Sequence, residues 1–284
     1  MEQNLKMIDG QRLTVGESPL WDERTGKLYT VDIRGRCIRE MDWATGDIRQ
    51  IDLPQQVGCI VLTEDGRLLA AMEDGIYLVE QDGVVEKISG EVQIFGRRFN
   101  DGKVGPDGRF YVGTTDVRGE GAFYRMDHDG TMTLLFDHVG VSNGLAWSAD
   151  GKTMYYCDSP KKVIEAFDFC GEDGTLSNRR TVLELPFETG IFDGMAIDAE
   201  DKLWVAVWDG ACILRVDPDA QTVLDRIDVP ASRAACCAFA GEKLDRMVIT
   251  TAAFERDNEP QAGNTFVTEA PVSGTASFRF QMKL

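Results

Sequence analysis

The chain has 284 residues, 43% hydrophobic and 9% aromatic, enough apolar side chain to bury a substantial core and to exclude a disordered protein. Its formal net charge of −18, from 48 acidic and 30 basic side chains, argues against nucleic acid or anionic membrane as a partner, because both would repel it. Much of that charge reads as an ordinary solubilising surface and says little about a substrate.

Residues 1–7 lack a basic region followed by an apolar run, and no apolar stretch approaches the roughly 20 residues of a membrane span. The expectation is a cytoplasmic protein. Seven cysteines, with no CxxC spacing and with Cys236 and Cys237 adjacent, make a poor disulfide framework and fit reduced thiols. Cys59 and Cys157 stand in apolar strand patterns and read as core.

In chain order, a turn followed by a strand comes six times: residues 27–31, 67–71, 109–113, 152–156, 202–206 and, more weakly, 243–249. The leading basic residues, Lys27, Arg67, Arg109, Lys152, Lys202 and Lys243, are 40, 42, 43, 50 and 41 residues apart, with extra turn residues at 170–174 assigned to the long step. A short apolar strand precedes each unit, as at 60–62 and 145–147. A second hairpin follows each, its first strand ending in an acid: Asp42, Glu80, Asp127, Asp168, Asp217 and Glu269. Those acids read as turn formers.

Four short strands at a period near 40 residues are the signature of a propeller blade. The predicted fold is therefore all-β, one domain over 1–284: a six-bladed β-propeller with four-stranded antiparallel blades. The segment before Glu17 is expected to add an edge strand to the last blade, since closing the ring removes exposed edges.

The first strand of each propeller blade lines the central channel, so residues at one repeat phase converge there. Counting nine back from each leading basic residue, and ten for the first, gives Glu17, Gly58, Asn100, Asn143, Asp193 and Ala234. Four carry oxygen, and the two small ones point to an entrance or substrate berth on one side. Converging carboxylates and amides would repel without a cation, and such donors suit Ca²⁺, Mg²⁺ or Mn²⁺. His128 and His138 lie away from this phase, which disfavours a histidine zinc site, although oxygen ligands also hold Zn²⁺. Taken singly, Asn143-Gly144 and Asp193-Gly194 would read as turns; their shared phase with Glu17 and Asn100 reads as a site.

The segments Gly16-Glu17-Ser18-Pro19-Leu20-Trp21, Arg98-Phe99-Asn100-Asp101-Gly102-Lys103, Ser142-Asn143-Gly144-Leu145-Ala146-Trp147 and Phe192-Asp193-Gly194-Met195-Ala196-Ile197-Asp198 resemble the SMP-30/gluconolactonase/regucalcin family over nearly the whole chain. The resemblance implies one divalent cation on the axis, held by Glu17, Asn143 and Asp193, with Arg98 and Asn100 contacting substrate and Asp193 as general base. The loop after Gly113 is shorter than in animal members, and Asp116 or Glu120 stands in for the acid of the substrate site.

The function expected is hydrolysis of a sugar-acid lactone, such as an aldonolactone, to the free acid. The cation would serve as Lewis acid and Asp193 would take a proton from water. Gly-x-Ser-x-Gly is absent, which argues against an acyl-enzyme route. Two alternatives share the ring: a calcium-binding regulatory propeller without a dedicated substrate, and a phosphotriesterase-like hydrolase. Arg98, of no use in holding a cation, favours an enzyme.

Overall fold

Strands that alternate apolar and polar residues, too short to be stable alone, must bury a face against a neighbour. In the computed structural model, which describes residues 5–80, 82–90 and 93–283, they do so as six four-stranded antiparallel sheets around one axis. This is the six-bladed β-propeller predicted. The short 3₁₀ turn Ser159–Lys161 is the one helical segment among the described residues.

The innermost strands, blade by blade, are Gly16–Asp22, Cys59–Leu62, Arg98–Val104, Ser142–Trp147, Ile191–Ile197 and Ala234–Ala240. Blades 1 to 5 follow the chain outward. Blade 6 is closed by the strand Lys6–Asp9, which pairs with Thr265–Glu269 as the outermost strand. The edge strand expected before Glu17 is therefore present. Arg39 of blade 1 reaches across to Asp9 at 2.9 Å, so the closing strand is also pinned to the next blade.

Apolar side chains fill the six gaps between neighbouring blades. Val61, Leu69, Phe99, Phe110 and Tyr124, for example, pack between blades 2 and 3. Tyr111, Phe123, Trp147, Tyr156 and Phe167 pack between blades 3 and 4. Cys59 and Cys157 are fully buried within two of these layers, as expected, and all seven cysteines are free.

Two details differ from the sequence reading. The long fourth repeat owes its extra residues to strand length: its outer strands, Val163–Cys170 and Thr175–Glu184, have 8 and 10 residues, while the turn between them is tight. The repeated acids also divide by role. Asp42 accepts turn N–H groups, Asp217 does so and also pairs with Lys202 at 2.8 Å, and Asp127 and Asp168 pair with Arg109 and Arg180 at 2.8 Å.

The chain ends by crossing the channel mouth opposite the N-terminal ends of the inner strands. Phe280 is buried beside blade 2 and Arg279 pairs with Asp22 at 2.5 Å. A cavity of about 320 Å³, walled by side chains such as Leu20, Val61, Trp147, Phe239 and Phe278, lies beneath this crossing.

Candidate metal and substrate site

Every axial position counted from the sequence falls on or just before an innermost strand, near its N-terminal end. In five of the six blades the ladder slips at that point, between residues such as Glu17 and Leu20, Asn143 and Leu145, or Phe192 and Met195. A bulge bends the strand and re-aims a side chain. Here it turns the axial residue out of the sheet and toward the axis.

Glu17, Asn100, Asn143 and Asp193 are all buried, each 7% exposed or less. A directed chain of hydrogen bonds runs through the two asparagines. Arg98 Nη1 donates to Asn100 Oδ1 at 2.7 Å, and Asn100 Nδ2 donates to Asn143 Oδ1 at 2.7 Å and to the Ser142 carbonyl at 2.8 Å. Asn143 Nδ2 donates to Ser159 Oγ at 2.8 Å, and the Ser159 hydroxyl donates to the Phe192 carbonyl at 2.7 Å. A guanidinium can only donate and a carbonyl can only accept, so both ends fix the sense of the chain.

The carboxyls are less well satisfied. Glu17 accepts the Ser18 N–H at 2.8 Å, and its pKa is pushed up to about 8 by burial and by the charge of Asp101. Burial, with Glu17 and Asp101 nearby, holds Asp193 well above the usual carboxylate range. Burial likewise raises Asp101 and lowers Arg98 to about 10. Asp101 has one buried oxygen without a hydrogen-bond partner.

This environment fits a hard divalent ion. Glu17, Asn143 and Asp193 offer oxygen donors from three blades, and burial leaves the two carboxyls poorly compensated when ionised. Among the described residues no three His, Cys, Asp or Glu side chains gather at metal-binding spacing.

Gly58 and Ala234 do not form the berth read from their size. A Cβ on Gly58 would lie 2.4 Å from the Phe99 carbonyl oxygen and 2.5 Å from that of Asn100. The missing side chain lets blade 2 press against blade 3. Ala234 is fully buried between blades 5 and 6. The glycine of Asn143-Gly144 also makes no turn: it lies mid-strand, with φ of 34°, where a Cβ would stand 2.6 Å from the Asp193 carbonyl oxygen.

Asp116 and Glu120 do not join the axial cluster. Arg118 takes both, at 3.0 Å and 2.6 Å, and holds Asp116 down to about 2. His128 and His138 lie away from the axis, His128 in a turn and His138 on an outer strand. Sequence reasoning missed Ser159 and Asp101. Asp101 was visible beside Asn100, but Ser159 belongs to no repeat phase.

Residues 15–253 match the family model described as SMP-30/Gluconolactonase/LRE-like region. The chain is 38% identical to regucalcin of Danio rerio over 280 residues, covering 94% of each chain. It is 36% identical, over 93% of this chain and 94% of the other, to YvrE of Bacillus subtilis (strain 168), a provisionally named sugar lactone lactonase. Among solved structures, a luciferin-regenerating enzyme superposes with a TM-score of 0.90 at 27% identity, covering 99% of this chain and 100% of that one. The protein belongs to the SMP-30/gluconolactonase family.

Proposed function

We propose that the protein hydrolyses a sugar-acid lactone to the free acid in a reaction dependent on one divalent cation. The carrying observation is the convergence of Glu17, Asn143 and Asp193 beside the Arg98–Asn100 pair. The family membership and the lactonase name of the Bacillus relative support the same reading. Glu17, Asn143 and Asp193 would hold the ion, which when bound supplies Lewis-acid polarisation of an ester carbonyl and makes nearby water more acidic.

The chain's own groups do the rest. Asp193 accepts the proton of the attacking water at its carboxylate, and its buried setting raises its basicity toward that task. Arg98 and the free lone pair of Asn100 Oδ1 orient ring hydroxyls. A calcium-binding propeller without a substrate, as the regucalcin names of several relatives invite, has less need of a cationic side chain such as Arg98 beside its ion.

The test is hydrolysis of pentono- and hexonolactones with Ca²⁺, Mg²⁺, Mn²⁺ or Zn²⁺ added to chelator-treated protein. Activity should require a cation and be lost in Asp193→Ala. Full activity in that variant rules out the assignment.

A further inference from the structure

Resting on the lactonase reading, we infer that the preferred lactone carries a second, ionised carboxylate, received by Arg34 together with Arg98 at the channel entrance. Arg34 lies on the loop between the second and third strands of blade 1, at the same end of the ring as Arg98. Its Cζ stands 3.7 Å from the ring centroid of Phe254, which belongs to the long loop of blade 6. Stacking on an aromatic face holds a guanidinium flat and leaves its N–H edge open, the geometry that receives a planar carboxylate through two parallel hydrogen bonds.

The stack continues around the rim. Phe254 also lies 5.6 Å from Cζ of Arg233, which stands 4.8 Å over Trp208. Arg233, however, has Asp209 at 3.0 Å to answer its charge. Arg34 has no such answer. Among the described residues, no carboxylate comes within 4.0 Å of Arg34, Arg36, Arg97 or Arg98.

That absence is informative in this chain, where acids outnumber bases 48 to 30. Elsewhere the arginines find them readily: Arg39–Asp9 at 2.9 Å, Arg179–Glu165 at 2.6 Å and Arg215–Asp198 at 2.8 Å. Arg34 and Arg36 on one loop, Arg97 just before the inner strand of blade 3 and Arg98 at its first position bring four guanidiniums to one mouth, Arg97 near the charge of Asp116 and Arg98 near that of Glu17. Arg34 and Arg98 also act on each other, Arg34 being among the charges that depress Arg98. An anion between them relieves that repulsion, and a neutral aldonolactone does not. Stacking alone explains the pose of Arg34 but not the missing acid.

The experiment compares kcat/KM of the cation-loaded protein for a neutral gluconolactone, a glucarolactone and a 6-phosphogluconolactone, at low and high salt. The glucarolactone should lead the neutral lactone by about tenfold, chiefly through KM, and the lead should shrink as salt screens the entrance. Arg34→Gln should cut the glucarolactone-to-gluconolactone ratio about tenfold, with the melting temperature checked to show the fold is intact. Equal or better use of the neutral lactone overturns the inference, as does an equal loss on both substrates in Arg34→Gln. Preference for the phosphate overturns the carboxylate. Activity on neutral lactones alone defeats only this inference; hydrolysis of none of the three, with cation bound, defeats the lactonase reading as well.

Discussion

Asn100 and Asn143, 43 residues apart and on neighbouring blades, meet through a 2.7 Å hydrogen bond from amide nitrogen to amide oxygen. Because Arg98 fills one side of Asn100 and Ser159 takes the nitrogen of Asn143, a flip would break three contacts at Asn100 and two at Asn143. The oxygen of Asn143 is thereby kept on the Asn100 side and its nitrogen on the Ser159 side.

Ser159→Ala removes the acceptor that holds the Asn143 nitrogen. Orienting partners of this kind are worth roughly 10–100-fold in metal affinity or activity. Calorimetric titration of chelator-treated Ser159→Ala with cation should show a loss in that range with little change in melting temperature. Wild-type affinity would mean that Asn143 needs no such support.

Glu17 gives a pH signature. The folded protein keeps its proton up to about pH 8, whereas an unfolded glutamate loses it near its ordinary value of 4.5. Its contribution to stability is therefore complete below about pH 4.5 and lost as pH rises toward 8. A cation competes with that proton. The rise in melting temperature on replacing chelator with cation should be small near pH 5 and grow up to about pH 8. A rise that does not change with pH contradicts this assignment.

Gly58→Ala should destabilise by about 1–3 kcal/mol, the range for overpacking a tight site, because two backbone carbonyl oxygens of blade 3 stand in the way. Gly171→Ala is the control: its Cβ would meet only Phe169, at an ordinary 3.7 Å. Urea midpoints for both variants decide the point, and equal midpoints would refute the close approach.

Asp9→Ala should cost roughly 3–5 kcal/mol, the range for stranding one member of a buried ion pair. Arg39 would keep its charge in a half-buried place with only the Gln50 amide oxygen as a partner. Deleting the first ten residues should cost more, since it also removes the pairing of Lys6–Asp9 with the last strand. Denaturant melts measure both, and a deletion with wild-type stability would show that the ring needs no closing strand.

The repeat made the fold legible: six turn-plus-strand units at near-constant spacing leave few architectures open, and the counted phase falls on or just before the N-terminal ends of the innermost strands. What escaped depended on distance and not on pattern. Gly58 looked like an opening because its size is visible in sequence, while the backbone of the neighbouring blade is not. The acids Asp116 and Glu120 looked available because their partner, Arg118, is written as one more loop residue. Ser159 sits in a 3₁₀ turn that occurs once, so no periodic argument could reach it.

The closing strand gives the chain's beginning an unusual part in what its middle can do. Glu17 and Asp193 sit on blades separated by a sheet whose outermost ribbon is residues 6–9. While a ribosome is still making the sixth blade, those two acids belong to an arc with a missing sector. An ion that needs both finds its full cage only when tail and head have met, so cation capture would report a finished circle, and a chelator would act on completed molecules far more than on growing ones.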